Sequence, residues 1–284
     1  MKKALLGILL CLSLAVFGFS GGFSIKLNGG ANFLMGGDYN KIVEDAEASW
    51  RSVPGLTYSG GFDKLSMGWN FGAEFVYNFS DQMGVGLGVG YITASNDSTF
   101  AAISGPAQVT GRFAPSLSVI PITLNFHYLL PLSDMFKINF SVGPGLYISS
   151  LDLTAQQQLG STSDPGVLID MTANFTPDGV MGFGFQGGLG FEIAFSPSVS
   201  FCVDILGRMA SLSGFTGAWT MTGHVLWLPL SDSGTGTFYY YESGGYANYD
   251  ISNTMPSGSG VSNAREASIS LSGVCAMAGI KINI

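Results

Sequence analysis

Polar and apolar residues alternate almost without interruption through residues 179–209, on both sides of one short turn. From 181 to 195 the odd positions carry Met181, Phe183, Phe185, Leu189, Phe191, Ile193 and Phe195, and the even ones Gly182, Gly184, Gln186, Gly188, Gly190 and Glu192. After Ser196-Pro197-Ser198 the contrast resumes, with Val199, Phe201, Val203 and Ile205 set against Ser200, Cys202, Asp204 and Arg208. A period of two is that of a strand with unlike faces, so the stretch predicts a tight hairpin. The interior of a small barrel is only wide enough for side chains to fill, and this many Phe would overfill it. The glycine-rich polar face fits inside instead. An apolar outside around a filled polar inside is the pattern of a transmembrane β-barrel, whose closure satisfies every backbone hydrogen bond in lipid.

The same alternation predicts six further strands, at residues 23–35, 67–79, 83–93, 116–130, 136–148 and 267–284. In the third, Gly84, Gly86, Gly88 and Gly90 face inward and give room rather than strand propensity. Pro121 cannot donate to a ladder, so the fourth should carry a bulge or local break there. In the last, Ile269 and Leu271 are out of phase with Ile280, Ile282 and Ile284, which predicts a bulge near Ser272-Gly273. The connections alternate strictly between long (36–66, 94–113, 149–178, 210–266) and short (80–82, 131–134, 196–198). The expected fold is therefore all-β: an eight-stranded antiparallel up-and-down transmembrane β-barrel with long extracellular loops and short periplasmic turns. Phe79, Tyr128, Phe136 and Phe195 beside the short turns would form an interfacial aromatic girdle. Within the loops, Ile42, Ala46 and Trp50 predict a short helix at 40–50 that packs on the barrel rim. Residues 219–228 and 237–249 predict a projecting hairpin that turns at 231–236.

Composition supports this reading. The chain has 284 residues, 41 of them Gly, with 13% aromatic and only 11% charged, against about 25% charged in ordinary soluble domains. No stretch after the N-terminus reaches the roughly 18–20 apolar residues of a spanning helix. Lys2, Lys3 and the apolar run 4–17 before Gly18-Phe19-Ser20 read as a secretory signal peptide, residues 1–20, leaving 21–284 as the barrel domain. Cys11 raises a lipid-attachment alternative, disfavoured by Leu10, where such signals want a small residue. Removing two lysines takes the formal net charge from −8 to −10, which excludes nucleic acid as a partner. Cys202 and Cys275 are expected as small lumen-facing residues, with a strand-to-strand disulfide the alternative.

The inward face collects Lys26, Glu74, Lys137, Glu192, Asp204, Arg208 and Lys281, and His127 joins them. A plug of paired ions and a charged gate or ion path are the structural and functional readings, since intramembrane charges need partners in either role. The loops are acidic, with Asp38, Glu44, Asp45, Glu47, Asp63, Asp97, Asp152, Asp164, Asp170, Asp178, Asp232, Glu242 and Asp250; solvation explains most of that charge, and divalent cations bridging to lipopolysaccharide are the alternative. No spacing fits a calcium loop, and no metal or other cofactor is expected. Trp219, Trp227, Tyr239, Tyr240, Tyr241, Tyr246 and Tyr249 make a candidate loop contact surface, with hairpin packing as the structural reading. His127 and His224 are the only bases for a catalytic reading, and His224 lacks an adjacent nucleophile motif, so no catalytic residue is assigned.

At whole-chain level, residues 21–284 resemble the small eight-stranded outer-membrane barrels, including the outer-membrane protein W and opacity porin-like groups. The run Ile120-Pro121-Ile122-Thr123-Leu124-Asn125-Phe126-His127-Tyr128 is similar to a strand common in these barrels, as is Gly182-Phe183-Gly184-Phe185-Gln186-Gly187-Gly188. The chain departs from the group in ending on Ile284 rather than an aromatic residue. The resemblance implies a monomer in the bacterial outer membrane, meeting outer-membrane lipid and lipopolysaccharide and inserted by barrel-assembly machinery and periplasmic chaperones. It leaves open a non-catalytic surface role through the acidic, Tyr-rich loops, a conduit for small apolar solutes, and a lipid-modifying enzyme.

Overall fold

A computed structural model describes residues 22–161 and 167–284; the expected signal peptide and Asp164 lie outside them. The chain forms β1 (Gly22–Leu34), helix α1 (Asp38–Ser52), β2 (Thr57–Gly60), β3 (Met67–Asn78), β4 (Met83–Ser95), β5 (Ser98–Ser104), β6 (Ala107–Pro131), β7 (Phe136–Ser161) and β8 (Val167–Pro177). There follow β9 (Val180–Ser196), β10 (Val199–Ser213), β11 (Thr216–Val225), β12 (Leu228–Ser243), β13 (Tyr246–Ser252), β14 (Val261–Glu266), β15 (Ser268–Ser270) and β16 (Gly273–Asn283). The described residues thus form sixteen strands where eight were expected. The difference lies in the long connections, whose Thr, Ser, Gln and Tyr residues pair as strands rather than run as loops.

The segments read as strands pair in one antiparallel circuit: β6 with β7, then β9, β10, β16, β1, β3, β4 and back to β6. β6 and β7 run on past this circuit, paired from Pro131 and Lys137 to Ala107 and Ser161. Their upper ends carry a second run of sheet, ordered β13-β12-β11-β8-β7-β6-β5-β2, here called the head. Helix α1 closes the head's two free edges. Asp45 Oδ2 accepts the Ala247 N–H of β13 at 2.8 Å, and Arg51 Nη2 donates to the Gly60 carbonyl of β2 at 3.4 Å. Unpaired edges otherwise invite intermolecular pairing.

Four local expectations are corrected or refined. The hairpin turns at Leu226-Trp227, and Ser231–Gly236 lie within β12. Small polar residues read as a turn, yet Gly234 there leaves space for the Trp219 indole opposite. At Pro121 the β4–β6 ladder skips the positions opposite Gly90 and Tyr91 and resumes in unchanged register, a break without a bulge. The last strand divides into β15 and β16, both in one register on β10. Ile269 and Leu271 therefore point inward like Cys275 and Met277, and the interior itself changes from polar to apolar. Cys202 faces Gly279 and Cys275 faces Leu206; an offset of four residues, about 13 Å, excludes a disulfide, and both thiols are free.

The interior is thus layered. Near the short turns it is polar; toward the head, Ile92, Leu117, Val119, Leu151, Leu212, Phe215, Ile269 and Leu271 form an apolar core. Tyr39, Ile42 and Val43 of α1 complete it from above, so the rim helix buries its first turns, while Ala46 and Trp50 of the expected stripe are half-buried. Outside, Leu87, Val89, Ile122, Leu124, Phe140, Phe183 and Phe191 are exposed along the circuit. Phe79, Tyr128, Phe136 and Phe195 are exposed beside the short turns.

Candidate functional site

Seven circuit strands carry the predicted charges, and alternation aims them into one closed space. Lys26 of β1 reaches Asp204 of β10 at 2.7 Å. Lys281 of β16 meets both oxygens of Glu192 of β9 at 3.1 Å. His127 Nε2 of β6 lies 3.0 Å from Glu74 Oε1 of β3. Glycine makes the space: a Cβ on Gly86 of β4 would stand 2.5 Å from Glu74 Oε1 and 2.8 Å from His127 Nε2, and one on Gly190 would strike the Asp204 carboxylate.

Arg208 joins the cluster with no carboxylate partner among the described residues. Its Nη1 donates to Asn32 Oδ1 at 3.3 Å, and its guanidinium lies 5.6 Å from the centre of the Tyr147 ring. Lys137 of β7 stands in register with Glu192 but is half-buried and forms no ion pair among the described residues. Uncharged members that charge counting overlooked complete the network. Asn125 Nδ2 donates to Glu74 Oε1 at 2.6 Å, Gln186 Nε2 to Asn125 Oδ1 at 3.2 Å, and His127 Nδ1 pairs with Asn139 Oδ1 at 3.2 Å. Each shares a strand face with a charge, Asn125 two residues from His127 and Asn139 two from Lys137, and that spacing is the signal that finds them. A cavity among them, lined by Lys26, Asn70, Gln186, Asp204 and Arg208 among others, measures about 60 Å³, room for a few waters.

The loop residues do not form one surface. Tyr240 is buried, its O–H donating to Glu242 at 2.7 Å and its ring 4.0 Å from the Arg265 guanidinium. Trp219 packs on the apolar core, Tyr246 O–H reaches Ser52 Oγ at 3.4 Å, and the Tyr249 ring lies tilted against Phe238, centroids 5.9 Å apart. Tyr239 and Tyr241 flank Tyr240 on the opposite face of β12, half-buried. Trp227 stands at the hairpin tip, 82% exposed. His224 lies in register with Asp170 of β8 and Pro229 of β12.

Several acids read as solvated have structural partners. Asp38 accepts from Arg265 Nη2 at 2.6 Å, from the Ser268 N–H at 3.0 Å and from its hydroxyl at 2.9 Å. Asp97 takes a bidentate bond from Arg112, both contacts 2.6 Å, which holds its carboxyl below the usual value. At Asp45 partial burial works against ionisation, but the Ala247 N–H and Lys41 outweigh it and keep the carboxyl below its ordinary value.

Residues 32–218 match the family model described as the outer membrane protein beta-barrel domain. The chain belongs to this family. Its place is the bacterial outer membrane, and the exposed apolar band on the circuit strands is the surface that lipid requires of such a barrel. Among solved structures it is similar to the crystal structure of the outer membrane protein OprG from Pseudomonas aeruginosa, with 13% identity over 94% of this chain and 97% of that one and a TM-score of 0.37. No curated protein matches the chain.

Proposed function

We propose that this outer-membrane barrel protein is non-catalytic and acts at the cell surface through its head, with the closed circuit of eight strands as its transmembrane wall. The observation that carries the reading is the double closure of the interior. Paired ions leave about 60 Å³ in the lower lumen, and an apolar core under α1 fills the upper lumen. A porin needs a continuous water-filled interior, whereas these two layers oppose the passage of ions and polar solutes. The head carries exposed polar rows and an apolar tip, the surfaces a contact protein offers. Its neighbours in this reading are outer-membrane lipid and lipopolysaccharide, and it works as a monomer. Reconstitution in liposomes tests it: small sugars and ions should stay outside, and their entry at porin-like rates would overturn the reading.

One observation favours a second reading, a conduit for small apolar solutes of the kind implied by the resemblance to the outer-membrane protein W group. Between α1 and the inner face of the head lies a cavity of about 210 Å³ lined by Ile42, Val43, Ala46, Trp50, Phe62, Phe100, Phe113 and Tyr249. Uptake of a small apolar fluorophore by the liposomes, lost when Ala46→Trp fills the cavity, would favour this reading over the first.

A further inference from the structure

The β11–β12 hairpin ends in Val225-Leu226-Trp227-Leu228-Pro229-Leu230, six residues without a charge or a hydrogen-bonding side chain other than the indole. Val225, Leu226, Trp227 and Leu228 are all exposed, Trp227 at 82% and Leu228 at 61%. Leu226 holds φ at +56°, a region that any residue with a Cβ enters at a cost. The turn is thus strained in a way that displays apolar side chains, and such an arrangement marks contact sites. Among the described residues, none of these four side chains belongs to the buried core.

We propose that this tip inserts into the interface of a zwitterionic lipid bilayer other than the one that holds the barrel. The inference rests on the surface-contact reading above and names its partner. Three observations select the occupant. The tip lies ten residues up β11 from Thr216 at the barrel rim, about 33 Å along the strand, so the apolar patch projects away from the protein's own membrane. Its exposed apolar area is roughly a few hundred Å², well short of the ~800 Å² per partner of a stable protein interface. That area suffices for a two-strand blade in a lipid interface, where Trp prefers to sit. Finally, the chain is acidic, with formal net charge −8, and an acidic head is repelled by anionic bilayers, which leaves a zwitterionic surface.

The full chain in nanodiscs is mixed with phosphatidylcholine vesicles and floated on a density gradient while Trp emission is recorded, with Trp227→Phe identifying the tip's share. The wild type should float with the vesicles, and the Trp227 emission should move to shorter wavelength. The pair Trp227→Ser and Leu228→Ser should reduce flotation roughly tenfold or more. Leu226→Asn, which suits the positive φ and so preserves the turn, should reduce it as well. Absence of wild-type flotation, or flotation unchanged in both variants, overturns the proposal. So does self-association of nanodiscs without vesicles that the double variant abolishes, since the tip would then serve a second copy of the chain. None of these results bears on solute entry, so the surface-barrel reading and the lipid-contact proposal fail separately.

Discussion

Along β10 the inward residues change from Ser200, Cys202, Asp204 and Arg208 to Ala210 and Leu212, and along β16 and β15 from Lys281 to Leu271 and Ile269. The same strands therefore close the lower lumen with ion pairs and the upper lumen with aliphatic and aromatic packing. The two solutions fail differently. A buried ion pair recovers its desolvation cost only while both partners are present, so the lower layer is specific and brittle. An apolar layer loses stability in proportion to the atoms removed and the cavity left, so the upper layer degrades by degrees.

The largest expected effect breaks the lower layer. Lys281→Ala leaves Glu192 buried with its charge unpaired and should cost about 3–5 kcal/mol, read from urea unfolding in lipid vesicles. The double change Lys281→Met with Glu192→Leu should recover most of that loss. A double variant no more stable than the single would show that the pair is not the unit holding the layer. Next comes the upper layer: Ile269→Ala should cost about 2–5 kcal/mol with no rescue by any charge change below. Gly86→Ala, which drives a methyl into the Glu74–His127 pair, should cost about 1–3 kcal/mol; its effect should shrink in a Glu74→Ala background but persist through the close approach to His127 Nε2.

The smallest effect concerns the helix that roofs the upper layer. Asp45 has a depressed folded value, so its contribution is fully present above the ordinary carboxylate value of 3.8 and is lost as pH falls through the lower folded value. Amide exchange across α1 should therefore rise as pH falls below the ordinary carboxylate value of 3.8, and Asp45→Asn should remove most of that rise. A pH response that Asp45→Asn leaves intact would contradict this assignment.

The two layers also differ in how far the sequence reveals them. The lower layer was legible because charge and apolarity alternate there on opposite faces, as in Phe191, Glu192 and Ile193. Period two fixes which side chains converge, and among them Lys26 pairs with Asp204, His127 with Glu74 and Lys281 with Glu192. The upper layer was not legible, because apolar residues stand on both faces, as with Val119 and Ile120, and alternation carries no signal where both sides exclude water. Ile269 and Leu271 read as a phase error for this reason, when their register on β10 is unbroken. Of the head, the β11–β12 hairpin and α1 were legible, but β2, β5, β8 and the upper ends of β6 and β7 were not, because Thr, Ser, Gln and Gly read as loop residues; their pairing depends on β6 and β7 continuing past the circuit, a tertiary fact that overrides local composition. The Leu226 turn carried none of the usual glycine or asparagine that marks a two-residue hairpin.

Conductance across a planar bilayer tests the central claim of a doubly closed lumen most directly. The wild-type protein should add no stable conductance steps. The paired variant Lys281→Ala with Glu192→Ala should also remain silent, because the apolar layer still stands above the vacated charges. Steady step-like openings of the wild type in simple salt would contradict the account, since neither layer would then be closed.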